Sequence, residues 1–417
     1  MSRAETNVTD GELVMTTESL VETGNRTVSR NYSPAPIIMS HGDGAWLWDT
    51  EGRRYLDFLA GIAVSALGHN HPAMVAAIAD QASRVMHISN AFWSEPQIRL
   101  QDRLTQLSGL DRVYMCNSGA EANEAAIKLV RRWQRVVRGT PRFEIITFTG
   151  SFHGRTYGAI SATAQPKYHA GFEPMVPGFV YATFNDLSSV EALVGPHTAG
   201  ILVEPVQGEG GVTPATQEFL QGLRAICDRE GLALMMDEVQ TGIGRTGTWF
   251  AYEQFGVRPD VLSLAKGLGG GFPVGAMLAS APLSEGFNRG SHASTFGGNP
   301  LGCRVALTVL EQIAAENLLS NARLQGEHFR QTLRNTLTSC PLVREVRGLG
   351  LMNGLELEAS ADVTARAVSL ARNKGLLCNV AGTTVLRFVP PLAIDASQVE
   401  QGVAIVASVL QEILQSS

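Results

Sequence analysis

Between residues 112 and 265 the chain repeats one pattern: a short, nearly unbroken apolar run, then a polar or glycine-bearing turn, then a segment of helical periodicity. The runs are "RVYMC" (112–116), "FEIITF" (143–148), "GFVYATF" (178–184), "AGILVEP" (199–205), "LALMMDE" (232–238) and "DVLSLA" (260–265). Strands without hydrophobic/polar alternation must be covered on both faces, and the intervening helices supply that cover. The expected fold class is therefore α/β, a mostly parallel sheet of the seven-stranded type between helices. In "AEANEAAIKLVRRWQRVV", Ala122, Ala125, Ala126, Leu129, Val130, Trp133 and Val137 form one apolar stripe, as a helix packed on that sheet requires.

The flanks read differently. "GAWLWDTEGRRYLDFLAG" carries a turn signal at Asp49-Thr50-Glu51-Gly52 and predicts a β-hairpin. The last hundred residues mix strands and helices: "LQGEHFRQTLRNTL", "EVRGLGLMNGLELE", a helix near Val363 to Asn373, a hairpin "LLCNVAGTTVLRFVPP" and a closing helix with Val399, Val403, Val406 and Leu410 aligned. They predict a small α+β domain built from both chain ends. The expected divisions are a flexible tail (1–28), the first part of the small domain (29–76), a large domain (77–315) and the rest of the small domain (316–417).

With 33 basic and 39 acidic residues among 417, net charge −6, nothing in the charge balance suggests a nucleic-acid surface. No apolar stretch is long enough for a membrane span. The five cysteines lack C-x-x-C spacing, which argues against a disulfide framework or zinc site and favours a reducing, cytoplasmic setting. His69 and His71 in "GHNHP" lack a third ligand, so no metal is expected.

In an open parallel sheet, chemistry collects at the carboxyl ends of strands. Ser118, Gly119 and Ala120 follow the first run at a helix start: a plain capped helix, or a phosphate site. Phe152 and Arg155 follow the second, as a packed ring and a solvated cation, or as a stacking platform and a carboxylate binder. Asp237 and Gln240 follow the fifth; a strand-end acid is solvated, or meets a metal or a protonated ring nitrogen. Lys266 follows the sixth and precedes Gly267, Gly269, Gly270 and Gly271, the wrong order for a P-loop. The following Phe272-Pro273 resists the helix that a dinucleotide fingerprint would open, which disfavours a nicotinamide enzyme. Lys266 is either a surface lysine or an amine kept for covalent chemistry. Pyridoxal phosphate uses all these features together.

The ordered segments "AGIAVSALGHNHP", "HISNAFWSEPQ", "NSGAEANEAAIK", "SFHGRT", "EPVQGEGGV", "DEVQTGIGRTG", "AKGLGGGFPVGA", "STFGGNPLGC" and "RFVPPL" make the chain resemble the class III pyridoxal-phosphate aminotransferases of fold type I over nearly all residues after 29. Within them it is most similar to the branch acting on acetylornithine. The resemblance implies that Lys266 binds pyridoxal 5′-phosphate covalently and moves the substrate proton. Asp237 would hold the ring nitrogen, Gln240 the phenolic oxygen, Phe152 the ring face, and Ser118, Gly119 and Ala120 the phosphate. Thr295, with Ser294 near the substrate, would reach the neighbouring subunit's site in a homodimer. Arg155 would take the α-carboxylate of acetylornithine, and Arg387 that of glutamate or 2-oxoglutarate, with Glu209 masking Arg387 when an ω-amine is bound; Tyr32 would contact substrate. Glu204 is expected to shape the loop. The implied reaction moves the δ-amino group of N-acetylornithine to 2-oxoglutarate, giving N-acetylglutamate semialdehyde and glutamate in arginine biosynthesis. Alternatives are ornithine, succinylornithine, succinyl-diaminopimelate or 4-aminobutyrate as donor, or a catalytically silent protein on the same fold.

Overall fold

A computed structural model describes residues 8–9, 12–13 and 16–416. Its centre is a seven-stranded sheet in the order 112–116, 275–279, 261–264, 233–237, 198–203, 144–148, 179–182. All six apolar runs form strands of this sheet. The seventh, Gly275–Ala279, pairs antiparallel with both neighbours and carries the sheet's departure from parallel order. It went unread in the sequence because "GAMLA" follows the glycine loop directly and looks like its continuation. The strand Thr198–Val203 is buried at every residue, as a strand covered on both faces must be.

The helix Gly119–Arg132 starts on the Ser118 hydroxyl, which accepts from the Glu121 N–H, and buries Ala122, Ala125, Ala126, Leu129 and Val130 against the sheet. Its large apolar side chains each contribute roughly 1.5–3 kcal/mol on burial. The stripe breaks before Val137, which is exposed. A π-turn over Trp133–Val137 changes the residues per turn and rotates that position away from the sheet.

The predicted hairpin is present as Trp46–Asp49 paired antiparallel with Arg54–Asp57. The Asp49 carboxylate closes its turn by accepting from the N–H groups of Glu51 and Arg53 and from the Tyr55 hydroxyl. Near the C-terminus, Asn379–Ala381 and Val385–Phe388 form a hairpin. Leu376–Leu377, expected in the same hairpin, instead pairs parallel with Arg54–Asp57 and so joins the two chain ends in one sheet. The segment expected as a flexible tail through residue 28 contains a helix, Thr17–Thr27, capped by Thr16 and with no buried side chain; much of residues 1–15 lies outside the described residues. The helix Pro72–Arg84 runs across the expected division at 76/77. Among the described residues, no helix is long and apolar enough to cross a membrane.

Candidate active site

The carboxyl ends of the central strands surround a cavity of about 460 Å³. Lys266 follows the strand Val261–Leu264 and lines it. Its φ of +42° lies in the left-handed region, a conformation that costs a non-glycine residue on the order of 1–3 kcal/mol and marks functional sites. Just after it, a Cβ on Gly269 would collide with the Phe272 carbonyl, so the loop can fold back tightly only with glycine there. Burial pulls the Lys266 amine below its ordinary pKa and Arg387 acts in the same direction, against the opposing pull of Glu209, Asp237 and Glu204. The amine is thus neutral over a wider pH range than a lysine in water.

Asp237 ends the strand Ala233–Asp237 and is almost fully buried. Its Oδ2 accepts from Asn123 Nδ2 at 2.7 Å and from His153 Nδ1 at 2.8 Å, and its Oδ1 accepts from the Val239 N–H at 3.0 Å. Three donors fix the carboxylate at the cavity wall, where a cation can meet it. Two of them, Asn123 and His153, were missed in the sequence. Asn123 sits inside the apolar stripe of its helix and His153 inside "SFHGRT", and only their contact with Asp237 distinguishes them. Beside them, Glu204 lines the cavity and accepts from the Phe152 N–H at 3.0 Å; burial first, then Asp237, pushes its carboxyl well above the usual range.

At one end of the cavity the first turn of Gly119–Arg132 presents the N–H groups of Gly119 and Ala120, which have no acceptor within their helix. That is the geometry of an anion site at a helix N-terminus. Gly119 packs so closely on Val239 that an added Cβ would stand 2.6 Å from it. Phe152, Gln240 and Val239 line the same cavity; Val239 carried no distinguishing signal in the sequence.

Arg387 is completely buried on the strand Val385–Phe388, which belongs to a separate four-stranded sheet in the order Val343–Leu349, Met352–Leu357, Val385–Phe388, Asn379–Ala381. Its Nη1 donates to Glu209 Oε1 at 2.5 Å and to Gln240 Oε1 at 3.3 Å, its Nε donates to Asn379 at 3.1 Å, and its Nη2 is buried without a partner. An unpaired buried donor costs about 1–3 kcal/mol, which an incoming carboxylate would recover. Arg155 stands exposed at the cavity wall with its guanidinium 4.1 Å from the Tyr168 ring centre. Val64, which also lines the cavity, is delivered by a turn in which Ala60, Gly61, Ile62 and Ala63 all have positive φ, held by Asp57 accepting from the Leu59 and Ala60 N–H groups.

Five expected residues do not line this cavity within one chain: Glu209 and Arg387, which reach it only through the contact of Arg387 with Gln240, and Tyr32, Ser294 and Thr295. Tyr32 is 70 % exposed and Thr295 is exposed, while Ser294 accepts from Asn117 Nδ2 at 3.2 Å.

The family model for aminotransferase class-III matches residues 27–410. This chain belongs to the class III aminotransferases. It is 48% identical to the acetylornithine aminotransferase of Gloeobacter violaceus over 93% of this chain and 96% of that one. It is 42% identical to that of Methanocaldococcus jannaschii over 96% and 100%. Among solved structures, the ornithine aminotransferase of Toxoplasma gondii superposes with a TM-score of 0.93 at 33% identity, covering 97% of each chain. The acetylornithine aminotransferase of Elizabethkingia anophelis gives 0.86 at 32%, covering 96% and 100%.

Class III aminotransferases use pyridoxal phosphate, and this cavity fits it. A buried carboxylate fixed by three donors suits a pyridinium nitrogen, the free helix-start N–H groups suit a phosphate, and a lysine amine held below its ordinary pKa suits the covalent attachment.

Proposed function

We propose that this chain transfers the δ-amino group of N-acetylornithine to 2-oxoglutarate, yielding N-acetylglutamate semialdehyde and glutamate. The observation that carries this is one cavity holding the Lys266 amine and the Asp237 carboxylate, beside an Arg387 with an open donor. Relatives carrying the acetylornithine name at 42–48% identity over nearly the whole chain support that donor.

When bound, pyridoxal phosphate supplies an electron sink and carries the amino group between the two half-reactions. Lys266 would hold it covalently and, as a free amine, would take and return the proton at the substrate carbon bearing the amine. Asp237 would keep the proton on the ring nitrogen, Gln240 would meet the phenolic oxygen, Phe152 would cover the ring face, and Ser118, Gly119 and Ala120 would hold the phosphate. Arg155 binds the α-carboxylate of acetylornithine while Glu209 neutralises Arg387. When glutamate or 2-oxoglutarate enters, Glu209 leaves and Arg387 takes the α-carboxylate. Pairing and unpairing one buried charge lets one site accept two substrate shapes.

The reading includes a homodimer in which Thr295, with Ser294, serves the neighbouring site and Tyr32 contacts substrate. Their places outside the cavity of their own chain are consistent with that. The free cysteines suit a reducing cytoplasm.

The high TM-score with an ornithine aminotransferase favours free ornithine as the second reading. The absorbance spectrum of the cofactor-loaded protein separates the two. Rapid conversion of the visible band by acetylornithine, with ornithine and 4-aminobutyrate slow, is expected; faster conversion by ornithine would overturn the donor assignment.

A further inference from the structure

The loop bearing Glu209 is gripped from two sides. Toward the seven-stranded sheet, Gly208 lies against the Gln240 amide and Gly210 against the Gly150 carbonyl, where an added Cβ would stand 2.7 Å away. Toward the sheet that contains Arg387, the Gly382 N–H donates to the Glu209 carbonyl at 2.9 Å. Arg347, on the strand Val343–Leu349, reaches over the same loop. Its Nε donates to the carbonyls of Gly211 and Val212, both at 3.1 Å, and its Nη2 donates to Gly211 at 2.6 Å. Its Nη1 is held by Glu345 at 2.7 Å and by Glu356.

Arg347 does not line the cavity, and its side chain is only 15% exposed. Two carboxylates orient its planar fork, and the fork pins two consecutive carbonyls immediately after the Glu209–Gly210 step. The loop backbone is thereby fixed, while the Glu209 side chain, 22% exposed, keeps the freedom to rotate off Arg387. A tethered carboxylate competes for its partner through its effective concentration there, which falls as the tether loosens.

We infer that Arg347 is a positioning residue that sets the balance between the two half-reactions: by pinning the Gly211 and Val212 carbonyls it holds the Glu209 carboxylate at Arg387, and so governs how readily an external dicarboxylate displaces it. The inference rests on the Glu209–Arg387 exchange proposed above. Lysine at position 347 would keep the charge facing Glu345 and Glu356 but lose the fork that spans two carbonyls.

The test is calorimetric binding of glutarate, an unreactive dicarboxylate, to the cofactor-loaded protein. Arg347→Lys is expected to bind glutarate at least about threefold more tightly than the parent, because a looser loop yields Arg387 more readily. Glu209→Ala should also bind it more tightly, and the double variant no more tightly than Glu209→Ala alone, since Arg347 acts through Glu209. Should Arg347→Lys fail to fold, Arg347→Gln takes its place in the same cycle. Unchanged affinity in the Arg347 variant, beside a tightened Glu209→Ala, overturns the positioning role alone. Unchanged affinity in Glu209→Ala overturns the exchange and this inference with it. A shift that persists undiminished in the Glu209→Ala background shows that Arg347 acts by another route and also overturns it.

Discussion

At the scale of single residues, the site turns on an amine whose environment opposes its charge. Burial and Arg387 both lower the pKa of Lys266, so the neutral, nucleophilic form persists below the pH at which a free lysine loses it. When pyridoxal phosphate is added to cofactor-free protein, the rate at which the visible band appears is expected to level off at a lower pH than it would for a lysine in water. A rate still climbing by about tenfold per pH unit through pH 10 would mean an unshifted amine. Lys266→Ala should show no lysine-bound band at any pH. Asp237 and Lys266 stood out in the sequence because each stands at the end of an apolar run, where a charged residue is costly without a partner, whereas Arg387 came only from the family resemblance carried by "RFVPPL". Asn123 and His153 were not, because their neighbours along the chain resemble ordinary helix and loop. Their role exists only in the 2.7 Å and 2.8 Å contacts to a residue more than eighty positions away.

At the scale of elements, the strands were the most readable part, since six apolar runs bounded by turn residues can hardly form anything else. Where reading failed, one local geometry had replaced another. The π-turn at Trp133–Val137 took Val137 off its stripe, and the antiparallel strand Gly275–Ala279 hid behind the glycines that precede it. The start of Gly119–Arg132 couples element to site, because helix and cavity meet at Gly119 against Val239. Gly119→Ala places a methyl 2.6 Å from a Val239 methyl, and overpacking of this kind costs about 1–3 kcal/mol. A lowered melting temperature together with weaker retention of pyridoxal phosphate is the expected result. An unchanged melting temperature would show that Val239 can move aside, and that the two elements are less tightly joined than their contact suggests.

At the scale of the whole molecule, the positions of Tyr32, Ser294 and Thr295 set the next question. If Thr295 serves the neighbouring subunit, a Lys266→Ala chain and a Thr295→Glu chain, each inactive alone, should restore activity on mixing and re-equilibration. Random pairing makes half the dimers mixed, each with one intact site, so recovery of about a quarter of the parent activity is expected. No recovery, with mixed dimers demonstrated, would place Thr295 in its own chain's service. Composition and periodicity do not distinguish a residue exposed in one chain from one buried between two, so this arrangement was legible only through the family resemblance of "STFGGNPLGC". The joining of the chain ends has a further consequence, for synthesis. Arg54–Asp57 leaves the ribosome early, yet its neighbour Leu376–Leu377 and the Gly402 backbone that receives the Phe58 ring come only near the end of translation. At about 5–20 residues per second this sheet edge stays open for tens of seconds. Throughout that interval the nascent chain must be kept from pairing with its neighbours on the same message.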